Sequence, residues 1–259
     1  ALPLDTITVA EQLKESGYTT GYVGKWHLGM HPQFGPGHQG YDYDLGINGP
    51  HLPGKYRVAS NSTQTLKPKP DQFRTEFEAE ACEHFIRENK DKPFFLMCQH
   101  KAPHGKWEPA LRHLHEFDDM EIPEPPTLFD DYSGRSPASA QHKMGIADHI
   151  GEKRLMLSYA SKFTPEQFKQ FDNAFRPKNE AFIKAKLTGK ERTRWHYQRY
   201  IKNYLRCVKA VDENIGRMLD FLDKSQLSEN TIVIYSSDQG FWLGEHGWFD
   251  KRWMYEESL

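Results

Sequence analysis

The order of hydrophobic and polar residues predicts a helix and then a strand at the start of the chain. Thr8 and Glu11 match a capping box, the side-chain pattern with which many helices begin. Val9 and Leu13 follow at helical spacing, and Gly17 stands where a helix commonly ends. The stretch YTTGYVGK that comes next has the pattern of a strand.

The middle of the chain repeats this order. Between Asp71 and Asn89, apolar residues recur every fourth position, which predicts a helix with one buried face. These residues are Phe73, Phe77, Ala81 and Phe85. The run PFFLMCQH follows, and its unbroken apolar character is typical of a strand covered on both faces.

Further helices and a last strand are predicted towards the C-terminus. Residues 164–175 and 180–187 have helical patterns, and the stretch from Arg194 to Ser225 carries the strongest one. The run ENTIVIYSSD then predicts a final strand. Alternating helices and strands favour an α/β fold, a mostly parallel central sheet with helices on both faces. In such folds, ligands gather at the carboxyl ends of the strands.

Charge and composition argue against some classes of function. The 259 residues carry a formal charge of −2, so no overall positive charge indicates binding to nucleic acid. No apolar run approaches the roughly 18 residues of a membrane span. The three cysteines have no metal-ligand spacing, and buried free thiols are expected.

Polar clusters follow three of the predicted strands. The first is GKWHLG with Lys25 and His27, the second is QHKAPHGKW with His100, Lys101 and His104, and the third is SDQGFWLGEHGWFDKR. The third cluster contains Asp238, Gln239, His246, Lys251 and Arg252. Each residue alone has an ordinary structural interpretation, such as a solvated lysine or a turn-capping aspartate. If the strands are parallel, however, the three clusters converge at one edge of the sheet.

The residue types in these clusters indicate a class of chemistry. Asp238 and Gln239 offer the oxygen ligands that Ca²⁺ or Mg²⁺ prefers, although two oxygens do not complete such a site. Lys25 and Lys251 suit a tetrahedral oxyanion, and the histidines can exchange protons near neutral pH. The residues therefore favour metal-assisted transfer of a sulfuryl or phosphoryl group, with no nucleophile identified.

The stretch GYTTGYVGKWHLG, residues 17–29, resembles the second signature of the sulfatase family. HKAPH and SDQGFWLGEHGWFDKR resemble later blocks of the same family, in the expected order. The resemblance implies an alkaline-phosphatase-like α/β fold and hydrolysis of a sulfate ester by a formylglycine nucleophile with a divalent cation, calcium or alternatively magnesium.

The resemblance also implies roles for single residues. Lys25 would contact the formylglycine and the sulfate, and His27 would assist elimination of sulfate. His104 and Lys251 would bind sulfate and assist the leaving oxygen, with His104 as the better general acid. The cation would be held by Asp238 and Gln239. We further expect Arg252 and His246 to bind substrate.

The chain departs from the complete family pattern, since it has neither the family's early Asp-Asp pair nor its nucleophile motif. The motif that yields formylglycine does not occur in it, since Cys82, Cys98 and Cys207 all lie in other contexts. We therefore expect residues 1–259 to be the central and C-terminal part of a sulfatase catalytic domain. The nucleophile strand and a C-terminal subdomain would be absent, and the chain by itself would be inactive.

Two alternatives remain open. A phosphonate monoester hydrolase or phosphodiesterase of the same superfamily reuses similar residues, and a non-catalytic sulfate-binding pseudoenzyme would need no nucleophile. The expected substrate is a small-molecule or polysaccharide sulfate ester, as in carbohydrate sulfatases. Trp107, Trp242, Trp248 and Trp253 lie near the motifs and either stack on sugars or fill the core. The resemblance implies a periplasmic, secreted or lysosomal protein.

Overall fold

The computed structural model describes residues 2–29, 31–48, 57–59, 66–69, 72–159 and 163–258. The chain divides into two compact units. The first unit comprises residues 1–104 and 208–232, and the second comprises residues 105–207 and 233–259.

The first unit is built on a four-stranded sheet with the order β3-β2-β1-β4. Its strands are β1 (Thr19–Gly24), β2 (Tyr43–Asn48), β3 (Arg57–Ala59) and β4 (Phe94–Gln99). β1 runs parallel to both β2 and β4, and β3 is antiparallel to β2. In the register of the central pair, Gly24 lies opposite Gln99, so β1 and β4 end at the same edge.

Helices cover both faces of this sheet, as the sequence pattern predicts. Helix α1 (Val9–Glu15) begins with the capping box of Thr8 and Glu11. Its Ala10 packs with Tyr22 on one face of the sheet. Val23, the next residue of β1, points to the opposite face and packs against α2 (Arg74–Asn89). The alternation of neighbouring residues between two cores follows from the two-residue repeat of a strand.

The predicted aromatic stripe of α2 is buried. Phe77 and Phe85 are each 1% exposed, and they pack with β1, β2 and β4. At Gly21 a Cβ atom would lie 2.7 Å from the ring of Phe85, so only glycine leaves room for this ring. The stripe therefore forms core, as its spacing indicates.

The second unit has a core of its own around two long helices and a short hairpin. Helix α3 (Pro165–Ala185) joins what the sequence pattern suggested were two helical segments. Helix α4 (Gly189–Lys224) contributes residues 189–207 to this unit and residues 208–224 to the first. The antiparallel strands β5 (Trp242–Leu243) and β6 (Phe249–Asp250) form the hairpin.

The prediction of a final strand in ENTIVIYSSD is wrong. Residues 231–240 are not in a strand, and the side chains of Ile232 and Ile234 are 90% and 84% exposed. A strand requires a hydrogen-bonded neighbour, and within the described residues no strand pairs with this segment.

The segment between β1 and α2 carries β2 and β3, and part of it lies outside the described residues. Among the helices that the structure describes, none has the length and hydrophobicity needed to cross a bilayer.

Candidate active site

The first cluster begins where β1 ends. Gly24 has a φ of +116°, and a Cβ atom at this position would lie 2.0 Å from the Gln99 carbonyl oxygen. This close approach allows the Lys25 N–H to donate to that oxygen at 2.8 Å. The Tyr22 hydroxyl lies 2.5 Å from the Lys25 carbonyl oxygen, so both backbone polar groups of Lys25 are fixed. Lys25 is half-buried and His27 is exposed.

The second cluster leaves the sheet beside the first. His100 directly follows β4, and the Lys101 carbonyl accepts a hydrogen bond of 2.8 Å from the His104 N–H, which closes a turn. His104 is exposed and Lys101 is half-buried. The strands that precede the first two clusters therefore end side by side, because the Lys25 N–H donates to Gln99, the last residue of β4. Convergence of the side chains themselves stays a prediction.

A buried set of charges lies beneath the second cluster. His100 Nδ1 is 2.7 Å from Glu78 Oε2, and Glu78 Oε1 accepts from Arg74 Nε at 2.6 Å. Burial opposes the charged form of His100. The Cys98 sulfur and the carboxylate of Glu78 outweigh burial and raise the pKa of His100 well above its usual value. Glu78 and Arg74 did not emerge from the motifs, although their spacing of four residues on a helix could have indicated a pair.

The third cluster lies in the second unit, where Lys251 faces Asp238. Lys251 Nζ is 3.6 Å from Asp238 Oδ2, and the Asp238 side chain is 91% exposed. Gln239 has a φ of +53° and is also exposed. Arg252 is exposed and donates to the Lys251 carbonyl at 2.6 Å. Convergence of this cluster with the first two stays a prediction.

Asp238 and Gln239 do not by themselves form a divalent-cation site. They supply hard oxygen donors, but Ca²⁺ takes six to eight such ligands. In the described part of the chain, no group of three or more His, Cys, Asp or Glu side chains could hold a metal ion. A cation bound here would therefore need ligands from elsewhere.

His246 occupies a different environment from the other predicted site residues. It is 4% exposed, and its ring nitrogens lie 2.6 Å from Asp130 Oδ2 and 3.1 Å from Glu257 Oε1. The backbone N–H of His246 donates to the Thr127 hydroxyl, and its backbone carbonyl accepts from the Tyr132 hydroxyl. These contacts favour a structural role for His246 within the second unit, and its predicted contact with substrate stays a prediction.

The tryptophans near the motifs also differ in how far they are buried. Trp107, Trp242 and Trp248 are at most 1% exposed and belong to the cores of the second unit. Trp253 is half-buried and stacks on Trp248, with ring centroids 6.0 Å apart. Among these four residues, Trp253 therefore has the most exposed ring.

Comparison with known proteins gives a consistent result. The family model described as Sulfatase matches residues 1–257. An N-acetylglucosamine-6-O-sulfatase of Bacteroides thetaiotaomicron is 37% identical over 98% of this chain and 47% of its own length. An ulvan-active sulfatase of Formosa agariphila is 25% identical over 100% of this chain and 40% of its own.

A solved structure extends the comparison to the fold. It is described as a complex with its substrate D-glucosamine-2-N,6-O-disulfate, and it matches with a TM-score of 0.84 and 36% identity. The match covers 98% of this chain and 54% of that one. The chain thus spans about half the length of the relatives it matches.

Proposed function

Because the chain belongs to the sulfatase family and shares its alkaline-phosphatase-like α/β fold, we propose that the protein hydrolyses the sulfate ester of a carbohydrate. The main support for this proposal is that Lys25 and the turn that leads to His104 start from the same edge of the sheet. There the Lys25 N–H donates a hydrogen bond to the Gln99 carbonyl oxygen. Two cationic or proton-donating groups at one edge suit a tetrahedral anion.

We propose that the substrate is a 6-O-sulfated glucosamine or a related sugar. A relative that is 37% identical over nearly the whole chain is an N-acetylglucosamine-6-O-sulfatase. Arg252 supports a substrate with further negative charge, because it is exposed and directly follows Lys251. The half-buried ring of Trp253 offers an apolar surface for a sugar.

In this proposal Lys25, His104 and Lys251 bind the sulfate, and His27 assists its release. As the bond between sulfur and the sugar oxygen breaks, its electron pair stays on that oxygen, which takes a proton from His104. Asp238 and Gln239 would contribute two oxygens to a divalent cation, calcium or magnesium, whose positive charge stabilises the sulfate oxygens. A formylglycine nucleophile would come from outside residues 1–259.

We also propose that residues 1–259 are the central and C-terminal part of a catalytic domain. The exposed apolar run from Ile232 to Tyr235 supports this proposal, because contiguous apolar surface of this kind is usually covered. Its sequence suits a strand, so a neighbouring strand from outside the chain would supply both its hydrogen bonds and its cover.

The test uses the full-length protein with 4-nitrophenyl sulfate, 6-O-sulfated N-acetylglucosamine and an aryl phosphate diester. We expect hydrolysis of both sulfate esters, and a loss of activity when a chelator removes the cation. Faster hydrolysis of the phosphate diester would favour the phosphodiesterase alternative. No turnover of any ester would favour the pseudoenzyme.

A pair of matched variants tests the role of Lys251. Lys251→Ala should lower kcat/KM about 100-fold or more, the usual effect of removing one group that stabilises developing charge. Lys224→Ala is the control, since this exposed lysine also faces an aspartate, Asp220, at 3.3 Å. Equal activity of the two variants would show that Lys251 does not take part in the reaction.

A further inference from the structure

Three charged side chains, those of Arg74, Glu78 and His100, form a buried ion-pair network in the first unit. Arg74 and Glu78 belong to α2, and His100 follows β4. Arg74 and Glu78 are 1% and 0% exposed as side chains, and that of His100 is 10% exposed. Arg74 also donates to the Ile47 carbonyl oxygen in β2 at 2.6 Å. This ion-pair network therefore connects a helix and two strands through charge-assisted hydrogen bonds.

Stability alone is a weak reason for such an arrangement. Withdrawing charges from water costs free energy that largely offsets their attraction, and apolar residues of similar volume often stabilise a protein as well or better. Directed hydrogen bonds, in contrast, fix geometry. Glu78 uses one oxygen for Arg74 and the other for His100, which restricts the position of the imidazole ring.

The position of His100 shows which geometry is fixed. The residue stands between the last residue of β4 and the turn from Lys101 to His104. Its second ring nitrogen lies 3.6 Å from the sulfur of Cys98, so both sides of the ring are held. A rotation of the backbone at His100 would move the whole turn, and with it the exposed side chain of His104.

We infer that His100 and Glu78 are positioning residues for His104, which they hold in place through the turn that begins at Lys101. The inference rests on the proposed function, in which His104 protonates the leaving oxygen of the sugar. It assigns no contact with substrate to His100 or Glu78.

The test compares two leaving groups in the full-length protein. A sugar alkoxide leaves poorly without a proton, whereas 4-nitrophenolate leaves well, so only the sugar sulfate depends strongly on the general acid. Glu78→Gln and His100→Gln should each lower the ratio of kcat/KM for the sugar sulfate to that for 4-nitrophenyl sulfate, by tenfold or more. The double variant should have a ratio no lower than that of the more impaired single variant, because both changes break the same ion-pair network.

The control is Glu83→Gln on the same helix. Glu83 is bonded to Arg217 at 2.6 and 2.9 Å near the surface, so this variant loses a comparable pair away from β4. Its ratio should equal that of the wild type. Loss of stability alone would lower both activities together, and an unchanged ratio in Glu78→Gln and His100→Gln would overturn the inference.

A second measurement does not need activity. Exchange of the His104 amide, which donates to the Lys101 carbonyl, should be at least tenfold faster in Glu78→Gln than in Glu83→Gln. Equal exchange rates would overturn the inference, whereas absence of turnover in the wild type would overturn only the proposed function.

Discussion

Replacing Gly24 with alanine should destabilise the first unit and displace Lys25. The φ of +116° is strained for any residue with a Cβ atom, which costs about 1–3 kcal/mol. The added Cβ atom would also lie 2.0 Å from the Gln99 carbonyl oxygen, so β1 and β4 must separate at this end. Separation removes the hydrogen bond from Lys25, worth about 1 kcal/mol. Together these effects predict a loss of about 2–4 kcal/mol.

The assay is native-state hydrogen exchange of the β1 amides, which reports the free energy of opening of the first unit. Gly216→Ala in α4 is the matched control, since nothing lies within 4 Å of its added Cβ atom. Alanine there should stabilise the helix by about 0.5–1 kcal/mol. If Gly24→Ala also left stability unchanged or raised it, the close approach of β1 and β4 at Gln99 would be refuted.

Two further predictions concern other parts of the chain. Burial opposes ionisation of Asp118, but hydrogen bonds from Lys178 at 2.6 Å and the charge of Arg206 lower its pKa. A lowered pKa in the folded state means that this stabilisation is complete above the unfolded value of about 3.9 and is lost as the pH falls through the folded value. Asp118→Asn should therefore lower stability at neutral pH and flatten its acid dependence in thermal melts, whereas the exposed neighbour variant Asp119→Asn should do neither; identical curves would contradict the ion pairs. In the full-length protein, Ile234→Asp should reduce solubility or stability, because the proposed neighbouring strand would cover the run around Ile234. Ile183→Asp, at a 67% exposed site in α3, should be neutral. Rapid amide exchange of residues 232–235 in that protein would contradict a covering strand.

Local pattern was sufficient for most of the helices and for two strands of the sheet. The capping box at Thr8, the stripe from Phe73 to Phe85 and the apolar run of β4 depend on spacings within one element, so the sequence displays them directly. The first two clusters could be located by motif alone. That the strands before them end side by side follows from the parallel register of β1 and β4, which alternating elements already favour.

Other features depend on residues that are far apart in the chain. ENTIVIYSSD has the pattern of a strand, yet a strand exists only where a neighbour pairs with it, and residues 231–240 have none among the described residues. His246 stands close to Lys251 in the sequence, and only the fold shows that Asp130, more than a hundred positions away, engages its ring. His100 and Glu78 likewise meet only after α2 packs on the sheet.

The sequence by itself determined most of the helices, two strands of the sheet, the family and the residue types that follow those strands. Only the tertiary structure decided which of those residues are exposed, which are held by buried partners and which apolar run lacks cover. The physical reason is that periodicity is a property of one segment, whereas burial, hydrogen-bond partners and charge pairing are properties of segments brought together by folding.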